Sequence, residues 1–291
     1  MENQLIQLYL RVCQTYDTCS TTCFQRLSNN SAPVFTDQEL ITIFFFGHDH
    51  GLFQKKAIYK FTRNYWRDWF PTLPSYQTFC YRLNLLEQTF QALGGQWLNC
   101  LKGQMKPEVD RLIDSFPIML AKHGHAYTAK VGREIANKGY CAAKKTHFHG
   151  VRLHLVGHRR SGHLPLPDQL WLREASTHDL ESVREQQLQL PTSSLFGDKA
   201  FPDPTLEQRL KEQETRLITS LKRPKGGELT ETQKSYNRMV NGLRQPIESF
   251  FNWLNEKTQI QNASKVRSTQ SLLVQCWGKL AFAMFSLVFN Y

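Results

Sequence analysis

The sequence contains no internal repeat, no low-complexity segment and no regular cysteine framework. Its seven cysteines are odd in number and scattered, which suits reduced thiols rather than the disulfides of small secreted domains. Cys19 and Cys23 are four residues apart, but no second pair follows at zinc-finger spacing, so a structural zinc site is not expected. The first residues also lack the basic leader and apolar run of a secretory signal. These absences favour a cytoplasmic protein with free thiols.

A long uninterrupted apolar run is also missing. The most apolar stretch, 272–291, contains Gln275 and Lys279. Such polar interruptions are typical of a packed helix and unusual in a membrane span. We therefore expect a helix of the protein core here, and no membrane partner.

Acidic residues are few, with 25 Asp and Glu against 36 Lys and Arg, so the formal net charge is +11. A basic excess favours a polyanionic partner, usually nucleic acid and sometimes an anionic membrane surface. The length of 291 residues suffices for one large domain or two modest ones, each with its own core.

The first hundred residues follow a helical pattern that is rich in aromatic and basic side chains. Thr36, with Glu39 three residues later, forms a capping-box signal for the start of a helix. Helix-turn-helix DNA-binding domains have this composition, and so do plain bundles whose Lys and Arg residues are merely solvated. We predict a helical, helix-turn-helix-like DNA-binding domain over residues 1–105. The predicted helices are 3–28, one that begins after Thr36, 52–70 and 76–101.

From residue 106 the pattern changes to strands that alternate with helices. The order of three strands, helix, strand, helix, strand and long helix resembles that of a ribonuclease H-like core. We therefore predict an α/β domain over 106–291, with a mixed sheet flanked by helices, after the all-helical domain. The predicted strands are 109–120, 144–157, 169–174, 194–201 and 216–221. The predicted helices are 178–190, capped by Thr177 or Asp179, then 204–214, and the chain from 229 to its end.

Three acids occupy informative places in this pattern. Asp114 lies within the apolar strand 109–120, where a carboxylate is costly unless an Arg, a Lys or a metal ion lies beside it. Asp198 follows Gly197 at the end of a later strand, and Glu248 lies in the terminal helix. The topology can bring them together, because the first and fourth strands are neighbours and the last helix packs across them. Alternatively, each acid has an ordinary structural or surface role.

Carboxylate oxygens suit hard cations such as Mg²⁺. Two such ions can activate a water or a 3′-hydroxyl and stabilise the leaving oxygen of a phosphodiester. Nine Lys and Arg residues and one acid lie between Ala121 and Arg160, and a groove of that charge would hold phosphates. The alternative for 126–139 is a mobile surface loop. His147 and His149 alternate along a strand, so they are either polar strand positions or transition-metal ligands.

The motifs IDSFPI, GYCAAKKTHFHGVRLHL, EASTHD, LFGDKAF and RQPIESFFNWL follow one another in this order. In order and spacing they resemble the bacterial insertion-sequence transposases that carry a DDE catalytic triad. The upstream FTDQELITIFFFG and WFPTLPSYQTFCYRL resemble the helical N-terminal region of that family. The likeness extends from about Thr36 to the C-terminus.

The resemblance implies a ribonuclease H-like catalytic domain, a DNA-binding helical part and cut-and-paste transposition. It assigns the catalytic and metal-binding triad to Asp114, Asp198 and Glu248, which would hold two Mg²⁺ ions, with Mn²⁺ as a substitute. Related transposases carry a Tyr-x-x-Arg-x-x-x-Glu-x-x-x-x-x-x-Lys signature around the Glu. Arg244 fits its Arg, whereas Asn241 and Asn255 replace its Tyr and Lys, and a lysine follows only at Lys257. The candidate phosphate-binding residues are Arg244, Lys199, Lys144, Lys145, Arg152 and Lys257.

The resulting hypothesis is a DNA transposase. Water would attack a phosphodiester at the element end, and the freed 3′-hydroxyl would then attack target DNA. The alternatives are a metal-dependent nuclease without a joining step and a catalytically decayed DNA-binding protein on the same fold. The expected partner is double-stranded DNA, bound by a homodimer because two ends must be paired, in the nucleoid of a bacterial cytoplasm.

Overall fold

The spacing of apolar residues along the chain favours helices at both ends and strands in the middle, and the structure has this order. The computed structural model describes residues 1–19, 34–103 and 109–289. The helices are α1 (Glu2–Thr18), α2 (Asp37–Asp49), α3 (Lys55–Tyr65), α4 (Tyr76–Asn84), α5 (Glu87–Gly103), α6 (His125–Thr128), α7 (Asp179–Gln186), α8 (Pro204–Glu212), α9 (Glu231–Thr258) and α10 (Thr269–Phe289). The strands are β1 (Asp110–Lys122), β2 (Asn137–Cys141), β3 (Thr146–His158), β4 (Leu166–Glu174), β5 (Ser194–Gly197) and β6 (Arg216–Thr219).

The chain forms two compact units, one of residues 1–105 with 254–291 and one of residues 106–253. The predicted division placed all of 106–291 in the second domain, and the structure differs from it at the C-terminal end. The reason is packing: Phe282 and Phe285 of α10 contact Phe45 of α2. Helix α10 therefore completes the core of the helical unit.

A capping box starts the central helix of the first unit, as predicted. The Thr36 hydroxyl accepts a hydrogen bond from the Glu39 N–H at 3.2 Å, and the Glu39 carboxylate accepts one from the Thr36 N–H at 2.6 Å. These bonds satisfy backbone donors that a helix N-terminus otherwise leaves unpaired. From there α2 runs through the core with nearly every side chain buried.

The helix predicted over 76–101 is instead two helices, α4 and α5, which are separated at residues 85–86. The break lets each helix turn its own apolar face to the core, where Phe79 and Phe90 are fully buried. By length and composition α10 could span a bilayer, but two thirds of its most apolar window is buried in the structure. The part of the predicted first helix beyond Cys19, with Cys23, lies outside the described residues.

The second unit is a mixed six-stranded sheet in the order β2-β3-β1-β5-β6, and β4 also pairs with β3. The three pairings β1 with β3, β2 with β3 and β3 with β4 are antiparallel. The pairings β1 with β5 and β5 with β6 are parallel. Helices α7 and α8 cover one face, where Val183 and Leu210 join Ile113 in a common apolar cluster. The predicted ribonuclease H-like mixed α/β fold is confirmed.

Local details of this unit differ from the predictions. Strand β2 was not predicted, and it begins at the end of the segment 126–139. Lys144 and Lys145 lie in the turn between β2 and β3, not in the strand to which they were assigned, because the two antiparallel strands need a reversal there. The N-cap of α7 is His178 rather than Thr177 or Asp179, and its side chain makes no capping bond.

Candidate active site

Asp114 lies near the middle of β1, which is itself central in the sheet. Its neighbours Leu112 and Ile113 are fully buried, while the Asp114 side chain keeps 24% of its surface exposed. One carboxylate oxygen accepts a hydrogen bond from the Ser115 N–H at 2.8 Å, and the other accepts one from the Arg244 guanidinium at 3.2 Å. The positive partner that a carboxylate at this position needs is therefore Arg244.

The parallel register of β1 and β5 leads Asp198 toward Asp114, and the negative charge of Asp198 is near enough to raise the pKa of Asp114. That register pairs Leu112 with Phe196, and two further residues along each strand lead to Asp114 and Asp198. Gly197 packs closely against its neighbours, because a Cβ there would be 2.8 Å from the ring of Phe201 and 3.1 Å from the Ile113 side chain of β1. The Asp198 carboxylate accepts the Lys199 N–H at 2.6 Å, so its side chain folds back over the turn. Asp198 thus follows the carboxyl end of β5, the position where ligands bind in open α/β sheets, while Asp114 lies within the neighbouring strand β1.

Helix α9 brings Glu248 to the same part of β1. Arg244 contacts Asp114, and the ring of Phe251 stacks on Phe116 with centroids 5.1 Å apart. Glu248 is four residues after Arg244 and three before Phe251, so it lies on the same side of the helix. Glu248 is exposed, whereas Arg244 and Phe251 are buried. Glu248 therefore lies between two residues of α9 that contact β1, while its own side chain is exposed to solvent.

The asparagines that replace the Tyr and Lys of the signature make hydrogen bonds within the fold. Asn241 accepts a hydrogen bond from the Ser220 hydroxyl at 2.6 Å, which joins α9 to the chain just after β6. Asn255 accepts the Gln261 N–H at 3.2 Å in the turn that ends α9. Lys257 lies partly exposed in the last turn of that helix. Of the signature, only Arg244 makes a described contact to one of the predicted catalytic acids.

Burial raises the pKa of Asp114 to about 6. Arg244 and the Ser115 N–H oppose this shift, while the negative charges of Asp179 and Asp198 increase it. The arginine therefore does not fully compensate the buried carboxylate. Additional positive charge beside Asp114 would stabilise its ionised form.

The raised pKa predicts a pH dependence of stability in metal-free buffer. A raised pKa means that folding favours the protonated acid, so this contribution is full below pH 4 and is lost as the pH rises through 6. The unfolding free energy of the wild type, minus that of Asp114→Asn, should fall by about 2 kcal/mol between pH 4.5 and 8. Urea denaturation in EDTA measures it. A difference between the wild type and Asp114→Asn that does not change with pH would contradict the raised pKa of Asp114.

Asp179 is a further acid near Asp114 that sequence reasoning did not assign to the site. It begins α7, and its charge raises the pKa of Asp114. One of its carboxylate oxygens lies 3.9 Å from both Arg152 and His154. The available signal was the motif EASTHD, which ends at Asp179, although nothing in the motif alone indicates its proximity to the triad.

Arg152, predicted to contact phosphates, is engaged inside the second unit. Its guanidinium donates to the backbone oxygens of Tyr140 at 2.8 Å and Ala175 at 3.1 Å. It also reaches the Ser115 hydroxyl at 3.4 Å. These bonds tie β1, β2 and the segment after β4 together, so the described role of Arg152 is structural. Among the other predicted phosphate contacts, Lys199, Lys144 and Lys145 are exposed.

No histidine site accompanies these residues. His149 is buried with Nε2 against the Val131 carbonyl oxygen at 2.9 Å, while His147 is exposed and packs against Tyr140. Within the ranges 1–19, 34–103 and 109–289, no three His, Cys, Asp or Glu side chains are close enough to hold a metal ion together. Mg²⁺, however, commonly binds one or two carboxylates and completes its coordination with water and substrate phosphates. The paired Asp114 and Asp198, with an uncompensated charge, fit such an ion.

A ribonuclease H-like sheet with one acid within its central strand, a second after the end of the neighbouring parallel strand and a third on a helix that contacts the central strand defines a class of phosphoryl-transfer domain. A family model described as the transposase DDE domain matches residues 105–285, which is more than half of the chain. The chain belongs to this family of DDE transposases, whose enzymes break and transesterify phosphodiesters. The predicted family is thereby confirmed. Comparison with curated proteins and with solved structures found no match.

Proposed function

We propose that this protein is a DNA transposase that cleaves double-stranded DNA at the ends of an insertion element and joins the freed 3′-hydroxyl to target DNA. The observation that carries the proposal is the pairing of Asp114 and Asp198 on neighbouring parallel strands, with Arg244 and Glu248 of α9 on the same side of β1. The family assignment supports a reaction at phosphodiesters. A bacterial cytoplasm and a homodimer that pairs two element ends belong to the same proposal.

Asp114, Asp198 and Glu248 would hold two Mg²⁺ ions, or Mn²⁺ in their place. Bound ions would activate the attacking oxygen and stabilise the leaving oxygen. The Ser115 N–H donates a hydrogen bond that orients the Asp114 carboxylate, and the Lys199 N–H does the same for the Asp198 carboxylate. Glu248 would supply the third carboxylate from the side of α9 that contacts β1, and because its side chain is exposed, its movement would not displace the core.

Arg244 has the features of a residue that exchanges Asp114 for a DNA phosphate. Its side chain is 10% exposed, and its Nε lacks a hydrogen-bond partner in the described part of the chain. An arginine binds phosphate through two adjacent N–H groups, and this unused donor is next to the one that contacts Asp114. Lys199, Lys144, Lys145 and Lys257 would hold the flanking backbone, each contact weakening as salt increases.

A strand-transfer assay tests this function. We expect the wild type with Mg²⁺ to join a donor duplex that carries the element end and a free 3′-hydroxyl to a supercoiled plasmid. A matched donor with a 3′-dideoxy end lacks the attacking group and should give no joined product. Nicking of the plasmid without joining would identify a nuclease instead, and binding without nicking would identify a decayed transposase.

A further inference from the structure

A cavity of about 800 Å³ lies within the first unit, and its lining includes none of the proposed catalytic residues. Two helices turn polar stripes toward it at four-residue intervals, which is the spacing of one helix face. The rest of the lining comes from residues 51–57, which lead into and begin α3, and from residues between 259 and 268, which connect α9 to α10. The stripes are Tyr76, Cys80 and Asn84 on α4 and Ser271, Gln275 and Lys279 on α10.

The charge of this cavity is entirely of one sign. No Asp or Glu is present among the described residues that line it, whereas five cationic side chains are. A concave surface with one sign of charge concentrates counter-ions. The cations are Lys55, Lys56, Lys265, Arg267 and Lys279.

Lys279 is the most deeply buried of these cations, with 1% of its surface exposed. Its ammonium group donates one long hydrogen bond, at 3.4 Å, to the backbone oxygen of Gln259, and lies 6.0 Å from the centre of the Phe53 ring. An ammonium group has three N–H donors, so among the described residues the hydrogen-bonding capacity of Lys279 is largely unused. Burial lowers the pKa of Lys279 to about 7; Cys276 opposes this shift, and the charge of Lys55 contributes to it.

Lys55 is the second inner cation. Its ammonium group donates to Asn84 at 2.6 Å and to Ser271 at 3.0 Å, which links α4 to α10 through neutral acceptors. Burial lowers its pKa to about 8. Neutral oxygens provide hydrogen bonds but no counter-charge. Burying two ammonium groups without a carboxylate is costly, and an anion in the cavity would offset that cost.

We propose that this cavity binds a phosphate group. Lys279 and Lys55 would contact it from inside, with Arg267 and Lys265 at the exposed rim. A phosphate offers several acceptor oxygens to converging ammonium groups, and buried charge-assisted hydrogen bonds are the strong ones. The phosphate can belong to the DNA backbone or to a small phosphoanion. The first source rests on the proposed function, and the second is independent of it.

Thermal unfolding in potassium phosphate and in potassium chloride of equal ionic strength tests the site. Phosphate should raise the midpoint temperature of the wild type and of the control Lys60→Met, an exposed position on α3. Lys279→Met should lose this response, while in chloride it should melt higher than the wild type because a buried charge is gone. An equal phosphate response in wild type and Lys279→Met, or none in the wild type, overturns the proposal.

Fluorescence anisotropy with a short DNA duplex separates the two sources. An affinity loss of at least about tenfold in Lys279→Met, but not in Lys60→Met, supports a backbone phosphate. A lost phosphate response with unchanged duplex affinity supports a small phosphoanion. If Lys279→Met fails to fold, Arg267→Gln replaces it, with exposed Arg63→Gln as control. Neither assay measures cleavage, so failure here is distinct from failure of the proposed transposase activity.

Discussion

Asp114→Asn should reduce Mg²⁺-dependent cleavage of element-end DNA by at least about 10³-fold, the scale of losing one member of a catalytic unit. The amide keeps the shape of the carboxylate and can still face Arg244, but it has no charge with which to hold a divalent ion. DNA affinity should be unchanged or slightly higher, because a negative charge is removed. Gel assays of strand nicking, with anisotropy for binding, measure both quantities.

Asp110→Asn is the matched control for this experiment. Asp110 lies on the same strand four residues earlier and makes only a loose pair with Arg159 at 3.9 Å. Its replacement should leave cleavage within about twofold, because exposed pairs of this kind contribute little. Asp198→Asn and Glu248→Gln should resemble Asp114→Asn. Normal cleavage by any of these three variants would remove that residue from the proposed site.

Arg82→Leu should destabilise the first unit by about 3–5 kcal/mol, because it leaves a buried carboxylate without its counter-charge. Arg82 pairs with Asp37 at 2.6 Å, and the two side chains are 8% and 3% exposed. Arg82 also donates to the Phe35 backbone oxygen, and Asp37 accepts the Tyr16 hydroxyl at 2.9 Å. The pair therefore joins α1, α2 and α4, and urea denaturation measures the loss.

The control for Arg82→Leu is Arg223→Leu, the same change in an exposed ion pair. Arg223 and Glu228 are 69% and 78% exposed and 3.4 Å apart. Water solvates both charges, so this substitution should cost less than about 1 kcal/mol. If the two substitutions cost the same, burial of the Asp37 carboxylate does not determine the stability of this unit.

Local signals in the sequence predicted much of the fold. The Thr36 and Glu39 pair marked the start of α2, because a capping box is formed within four residues. The apolar run around Asp114 marked the central strand, since a buried strand needs apolar side chains on both faces. The paired positions of β1 and β5 also followed from the expected order of elements. Strand β2 was not predicted, because a strand of five residues with only Gly139 and Cys141 buried has too short an apolar pattern to identify it.

The sequence alone determined the element order, the acid on the central strand and the arginine one turn before Glu248, because periodicity and motif spacing are local properties. Contacts between distant segments hold Arg152 inside the second unit, bring Asp179 near Asp114 and pack α10 into the helical core. Packing also forms the cationic cavity, whose inner lysines Lys55 and Lys279 are more than two hundred residues apart in the sequence. Such contacts depend on packing between distant segments, and no spacing along the chain encodes them.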